Sequence, residues 1–232
     1  MKAKYLIAIL FPLFFSCKKQ LIDELPGNFS VVKPVDNLLD SLRVVFSENG
    51  NAQLNIPLLF SDTIQKNIVL TKESNVYVTF IDEGTDKRNS LCWYSYNKAQ
   101  PPLTINDINK NILFPNISKT GEGGLLEHGY TLQLGTEKFP AGTIIGFFLV
   151  ANGWKDGSID FGFPSYYTNY NLNRDGEQLH ILFKNAFSRY IVMGFEDNLI
   201  GTHDFNDVLF AVSDNNVGIE ATSFDLAKVI IK

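Results

Sequence analysis

The chain has 232 residues, with 20 Lys and Arg against 25 Asp and Glu and a net charge of −5. Hydrophobic residues make up 45% of it and aromatic residues 13%, enough for one domain with a substantial core. The acidic balance, with no Lys/Arg cluster to displace counter-ions from phosphates, argues against a nucleic-acid partner, and two cysteines exclude a multi-cysteine zinc site.

The first sixteen residues read as a leader to be set aside before any fold reasoning. Lys2 and Lys4 open it, and the apolar run Tyr5–Phe15 follows. That run is too short to cross a bilayer as a helix, which takes roughly 20 residues. It ends at Phe15-Ser16-Cys17 and passes at once into Lys18-Lys19-Gln20. This resembles the bacterial lipobox, in which a small residue precedes a cysteine that is diacylated and becomes the new N-terminus; Phe15 departs from the usual pattern. An ordinary secretory leader, or an uncleaved anchor, with an incidental cysteine is the alternative. More than one acyl chain is needed for stable anchoring, and this modification supplies them. The expected organisation is therefore a leader over residues 1–16, a lipidated Cys17 and tether over 17–40, and a domain over 41–232. Pro26, Gly27 and Pro34 support the tether.

From there the chain reads almost wholly as strands. Val76, Val78 and Phe80 alternate with Tyr77, Thr79 and Ile81 at period two, and Ser90–Tyr96 behaves similarly. Cys92 lies in that second run, in Leu91-Cys92-Trp93-Tyr94, and is expected to be a buried structural thiol. A short helical piece is expected around Ile105–Asn111, with Thr104 as its cap. Thr143–Val150, Tyr190–Phe195 and Val208–Val212 are continuous apolar runs of strand length, as in strands covered on both faces. Turn clusters rich in Gly, Asn and Asp separate them at 82–86, 119–124, 152–157 and 173–176. This pattern predicts an all-β fold, a β-sandwich or jelly roll in a single domain.

The densest polar constellation is Phe195-Glu-Asp-Asn-Leu-Ile-Gly-Thr-His-Asp-Phe-Asn-Asp207. It gathers Glu196, Asp197, Asp204, Asn206 and Asp207 between two apolar strands, where like charges repel unless something offsets them. A hard divalent cation would do so, and calcium accepts six to eight oxygen ligands in irregular geometry. The spacing is not that of an EF-hand. The alternative is a polar hairpin loop whose Asp and Asn side chains cap backbone N–H groups. His128, His180 and His203 lack metal-ligand or triad spacing, and no nucleophile elbow, P-loop or dinucleotide fingerprint occurs. Glu196 and Asp197 make a poor hydrolase pair, because adjacent strand residues point to opposite faces. Downstream of Trp154, the stretch Phe161–Tyr170 interleaves aromatic residues with Asn, Ser and Gly. Trp154, Tyr166, Tyr167 and Tyr170 could form a stacking platform for sugars. The favoured alternative is that these rings pack on themselves as a satellite cluster.

Ile191–Asp197 followed by His203–Val212 resembles the hallmark of the family known as domain of unknown function 4114: a G-[FW]-E-D element, then a D-[FY]-N-D strand. Pro140–Trp154 resembles that family's upstream strand. Thr79–Leu91 resembles an element of its LruC-like subgroup of bacterial envelope lipoproteins. The resemblance spans about residues 75–214. It implies exported or surface-associated proteins, an all-β domain, no established enzymatic activity, and a calcium site at the two acidic elements. Residue by residue, that site would use Glu196, Asp197, Asp204, Asn206 and Asp207, with Glu83 and Asn89 as weaker candidates. Thr202 stands where many relatives carry an acidic residue or Asn, so one ligand is missing from the pattern.

The expectation from sequence is thus a lipoprotein of the bacterial cell envelope, held at the membrane, expectedly the outer one, through its N-terminal lipid. Its module is expected to be calcium-binding and non-catalytic, with a structural, adhesive or assembly role and an envelope-protein or glycan partner. Glycan binding in nutrient acquisition is the alternative, and a polysaccharide-degrading enzyme is a distant third. Lys18-Lys19, in place of acidic residues after the lipid cysteine, leaves a periplasmic orientation open.

Overall fold

The computed structural model describes residues 22–33, 38–201, 203–218 and 220–232. Cys17 and Thr202 lie outside them. Among the described residues there are twelve strands: β1 (Ser30–Val31), β2 (Ile68–Val69), β3 (Tyr77–Asp82), β4 (Ser90–Asn97), β5 (Asn111–Phe114), β6 (Tyr130–Gln133), β7 (Thr143–Val150), β8 (Ser165–Tyr167), β9 (His180–Lys184), β10 (Ile191–Phe195), β11 (Val208–Ser213) and β12 (Ile230–Ile231). Two short helices, α1 (Leu38–Val45) and α2 (Ala52–Asn55), precede β2. The fold is an all-β sandwich. No helix among the described residues is long and apolar enough to cross a membrane.

The larger sheet runs β1-β6-β3-β11-β10-β9-β12, antiparallel except for β12 beside β9. The smaller runs β2-β7-β4-β5, with β8 also pairing with β7. Side chains alternate across each strand, so the two sheets bury one set against each other. Val78, Phe80, Ile191, Met193, Phe195, Val208 and Phe210 of the larger sheet meet Leu91, Phe114, Ile145, Phe147 and Leu149 of the smaller.

The continuous apolar runs need cover on their second face, and the chain supplies it. Leu38 and Leu42 of α1, with Phe46, Ala52, Ile56 and Leu59, pack on the outward residues Ile81, Ile181, Phe183, Val192 and Leu209. On the smaller sheet, Cys92, Tyr94, Phe148 and Val150 are covered by Tyr167, Ile108 and the loop around Ile159–Leu172. Cys92 is accordingly buried, and burial pushes its thiol up to about 12, far from a reactive thiolate.

Two sequence expectations change. Over its described part, the span expected as a tether is docked rather than free: β1 pairs with β6, Phe29 stacks on Tyr130, and Ile22 N–H donates to Gly157 O. At the end of that span Leu38 starts the helically spaced stripe, continued by Leu42 and Phe46, that covers the apolar outer face of the larger sheet. The stretch Ile105–Asn111 is a turn leading into β5 rather than a helical piece. There the Asp107 carboxylate accepts from the N–H groups of Leu103 and Thr104, and so offers the backbone an alternative to helix.

If α1 is part of the core, Leu42→Ala leaves a cavity under the larger sheet and costs about 2–5 kcal/mol. Urea unfolding followed by far-ultraviolet circular dichroism reads this. A loss below about 0.5 kcal/mol, the level of a surface substitution, would mean that α1 merely lies on the domain.

Candidate cation site at the β10–β11 connection

The hairpin β10–β11 is closed by the pair Phe195↔Val208, and both of these side chains are buried between the sheets. Its connection, residues 196–207, therefore leaves and re-enters the protein through a rigid mouth. The connections β3–β4, β7–β8 and β9's approach converge on the same end, since Leu209 pairs with Asp82, Ser90 with Val150, and Phe195 with His180. The register between β11 and β3 shifts between Leu209 and Phe210, a bulge that carries Asp82 to the rim.

Gly194 explains one fixed feature of the loop. A Cβ there would stand 2.3 Å from the Phe205 carbonyl oxygen. Phe205 itself has φ +60°, unusual for a bulky residue. Its N–H donates to Glu196 Oε1 at 2.6 Å, and its ring is buried under the larger sheet. Gly194, Glu196 and Phe205 thus form one locked turn.

The structure brings all five acidic-loop residues to this end but divides them. Asp197, 2% exposed, faces the β3–β4 connection. Its carboxylate accepts from Thr85 Oγ (2.8 Å) and Asn89 Nδ2 (2.9 Å) and pairs with Lys87 Nζ at 2.6 Å. Glu196, Asp204 and Asn206 lie on the other side, toward the α1–α2 connection. Asp204 Oδ2 accepts from Asn49 N–H at 2.9 Å, and Asn206 Nδ2 donates to Phe46 O at 3.1 Å. Asp207 stands between the two groups, accepting from Asp197 N–H at 2.7 Å. Of the weaker candidates, Asn89 joins the Asp197 group. Glu83 is buried on the rim, accepting from the N–H groups of Thr85 and Lys119.

The electrostatics are lopsided. Burial first, and then the neighbouring Asp197 and Glu196 charges, push the Asp207 carboxyl well above the carboxylate range. Burial likewise raises Glu196 and Asp204, and brings Glu83 to about 7. Among the described residues, Lys87 is the one side-chain cation that ion-pairs with any of the five. Asn206 Oδ1 is buried without a hydrogen-bond partner, 2.8 Å from where a Cβ on Gly84 would be.

Carboxylate and amide oxygens are the donor set of a hard cation, and the orphaned Asn206 oxygen fits that class. In the present geometry, however, no three His, Cys, Asp or Glu side chains among the described residues are gathered closely enough to hold a metal ion. Backbone N–H groups hold the carboxylates instead. Sequence reasoning missed Thr85, Lys87 and Asn49 as partners. Lys87 and Thr85 lie in a block singled out for other reasons, while nothing in the local sequence marks Asn49.

The aromatic set divides too. Trp154, Tyr166 and Tyr167 are buried, Tyr167 stacking on Phe148, so they present no open platform. Tyr170 fronts a cleft beside Lys66. The three histidines stay apart in role. His128 Nδ1 bonds Ile81 O, His180 is buried on β9 and pushed down to about 4 by that burial, and His203 edges against Phe205.

Fold and site together define an antiparallel β-sandwich module with buried acidic residues at one end. Residues 139–215 match the family model described as domain of unknown function (DUF4114). The matched region holds β7 to β11 and the whole acidic connection. It stops short of the Thr79–Leu91 element and does not speak to the LruC-like subgroup. No curated protein and no solved structure matches the chain.

Asp197→Ala strands the Lys87 ammonium and the Thr85 and Asn89 donors at a buried site, and should destabilise the domain by about 3–5 kcal/mol. A denaturation midpoint within error of wild type would mean that Asp197 does not tie the β3–β4 connection to the hairpin.

Proposed function

We propose that the protein is a lipid-anchored module of the bacterial cell envelope whose sandwich is stabilised by calcium and which works by binding rather than catalysis. One observation carries the cation reading. Glu196 and Asp204 are buried and Asp207 is half-buried; burial raises all three, and the other acidic charges of the set raise Glu196 and Asp207 further. None has a paired ammonium among the described residues, and Asn206 of the same loop carries an amide oxygen that has no partner. Burial and mutual repulsion make the charged form of these carboxyls costly, and a divalent ion would offset that cost. Glu196, Asp204, Asn206 and Asp207 would hold the ion, with Asp197 kept in place by Lys87. Calcium fits better than magnesium, whose strict octahedral shell suits an irregular loop poorly.

The non-catalytic part of the proposal draws on the same geometry. Each acidic group is engaged by backbone N–H donors, and the histidines serve separate structural contacts. The anchor draws on Cys17 closing an apolar leader. It would place the module at the membrane, expectedly the outer one, facing an envelope protein or glycan.

Thermal melts in EDTA and in millimolar calcium test the cation. A hundredfold excess over Kd adds about 2.7 kcal/mol, which should raise Tm by roughly 5–10 °C. Asp204→Ala and Asp207→Ala should abolish the calcium-dependent part, and Asp40→Asn on the exposed face of α1 should keep it. Identical melts of the wild-type protein in the two buffers would sink the calcium reading. For the anchor, Cys17→Ala should lose metabolic fatty-acid labelling and detergent partitioning; a variant that still labels would remove it.

A further inference from the structure

A cleft of about 420 Å³ opens beside the acidic connection. Three separate stretches build its walls: the chain before β2 with Asp62 and Lys66, the β8–β9 connection with Tyr170 and Gln178, and the hairpin loop with His203. The proposed cation ligands do not line it. Lys66 Nζ lies 4.8 Å from the Tyr170 ring centroid and 3.6 Å from Asp62 Oδ1.

Two unsatisfied polar atoms belong to residues that line this cleft. Gln178 Nε2 donates to Leu59 O and His180 O, which fixes the amide and leaves Oε1 buried without a donor. His203 Nε2 is buried without a partner as well. Asn67 Oδ1 and His180 Nδ1 are two more, on residues next to Lys66 that do not line the cleft. Asn67 follows Lys66, and His180 Nε2 bonds Lys66 O at 2.8 Å. Among the described residues only Asn206 Oδ1 adds to these four. A buried polar atom is costly to leave unpaired, so two of them on the lining of one cleft call for a cause.

We propose that this cleft binds a neutral sugar ring, with Tyr170 as the stacking face, Gln178 Oε1 accepting from a ring hydroxyl, and Lys66 and His203 as the polar edge. Charge narrows the ligand class. Lys66 is opposed by Asp62 and Glu177 on the same walls, so an anion is not selected. A hydrocarbon would leave Gln178 Oε1 unpaired. A ring of hydroxyls both donates and accepts, and its C–H face suits an aromatic ring. The volume is within the range of small-ligand sites, about 300–1,000 Å³.

The test is calorimetric titration of the purified full chain, in EDTA, with glucose, galactose, mannose, xylose, N-acetylglucosamine and their common disaccharides. EDTA keeps the result separate from the calcium question. At least one neutral sugar should bind saturably. Tyr170→Ala should weaken that binding about tenfold, the size of a lost aromatic contact, while Tyr170→Phe keeps it. Melting curves of both variants check that the fold persists. Absence of saturable binding across the panel overturns the proposal, and so does binding that Tyr170→Ala leaves unchanged. Inorganic phosphate binding here in place of a sugar overturns the ligand class.

Discussion

Both faces of the central hairpin β10–β11 are buried, and much of the molecule follows from that constraint. Between the sheets sit Met193, Phe195, Val208 and Phe210; under α1 and the chain after it sit Val192, Leu209 and Ala211. A strand covered on both sides has no room to slip, because a one-residue shift exchanges the two sets of side chains. Its connection must therefore start and finish at fixed points inside the protein. The polar groups of residues 196–207 cannot drift into solvent at either root, and they have to be satisfied where they stand.

Alternation decides how. Glu196 and Asp197 leave β10 in opposite directions, as successive strand residues do. Glu196 turns to its own loop and holds the Phe205 N–H. Asp197 turns to the neighbouring connection and takes Thr85, Lys87 and Asn89. The Glu-Asp pair is thus two devices, one shaping the loop and one binding it to β3–β4. Gly194 belongs to the first, since a side chain there would strike the Phe205 carbonyl. The G-F-E-D element consequently has a conformational reason that holds whether or not an ion binds.

This bears on how much the sequence could reveal. The long strands β3, β4, β7, β10 and β11 were legible, because alternation or an unbroken apolar run of strand length is a local signal. The two-residue strands β1, β2 and β12 were not, for they exist only where a neighbour's edge captures them. Helix α1 has just two turns, and its stripe of Leu38, Leu42 and Phe46 is too short to stand out beside a Pro- and Gly-containing stretch. The acidic set was legible as a set, since Phe195 and Val208 bracket it. Its division was not. Lys87 and Asn49 lie about a hundred residues or more away along the chain, and only the register of β3 with β11 and the docking of α1 bring them near.

The same loop joins the two proposed sites without merging them. Phe205 faces inward against Phe60, and its neighbour His203 edges the cleft, while Asp204 turns toward Asn49. Any ligand that draws Asp204, Asn206 and Asp207 together would act on a segment already pinned at Phe205 by Glu196 and Gly194. Movement would then be confined to the residues on either side of that pin. On that geometry any coupling between the cation and the cleft runs through Leu199, His203 and Phe205, the loop residues that line the cleft. An ion at the acidic end would stiffen the wall that carries His203, and would leave Tyr170, Gln178 and Lys66, which belong to other connections, where they are.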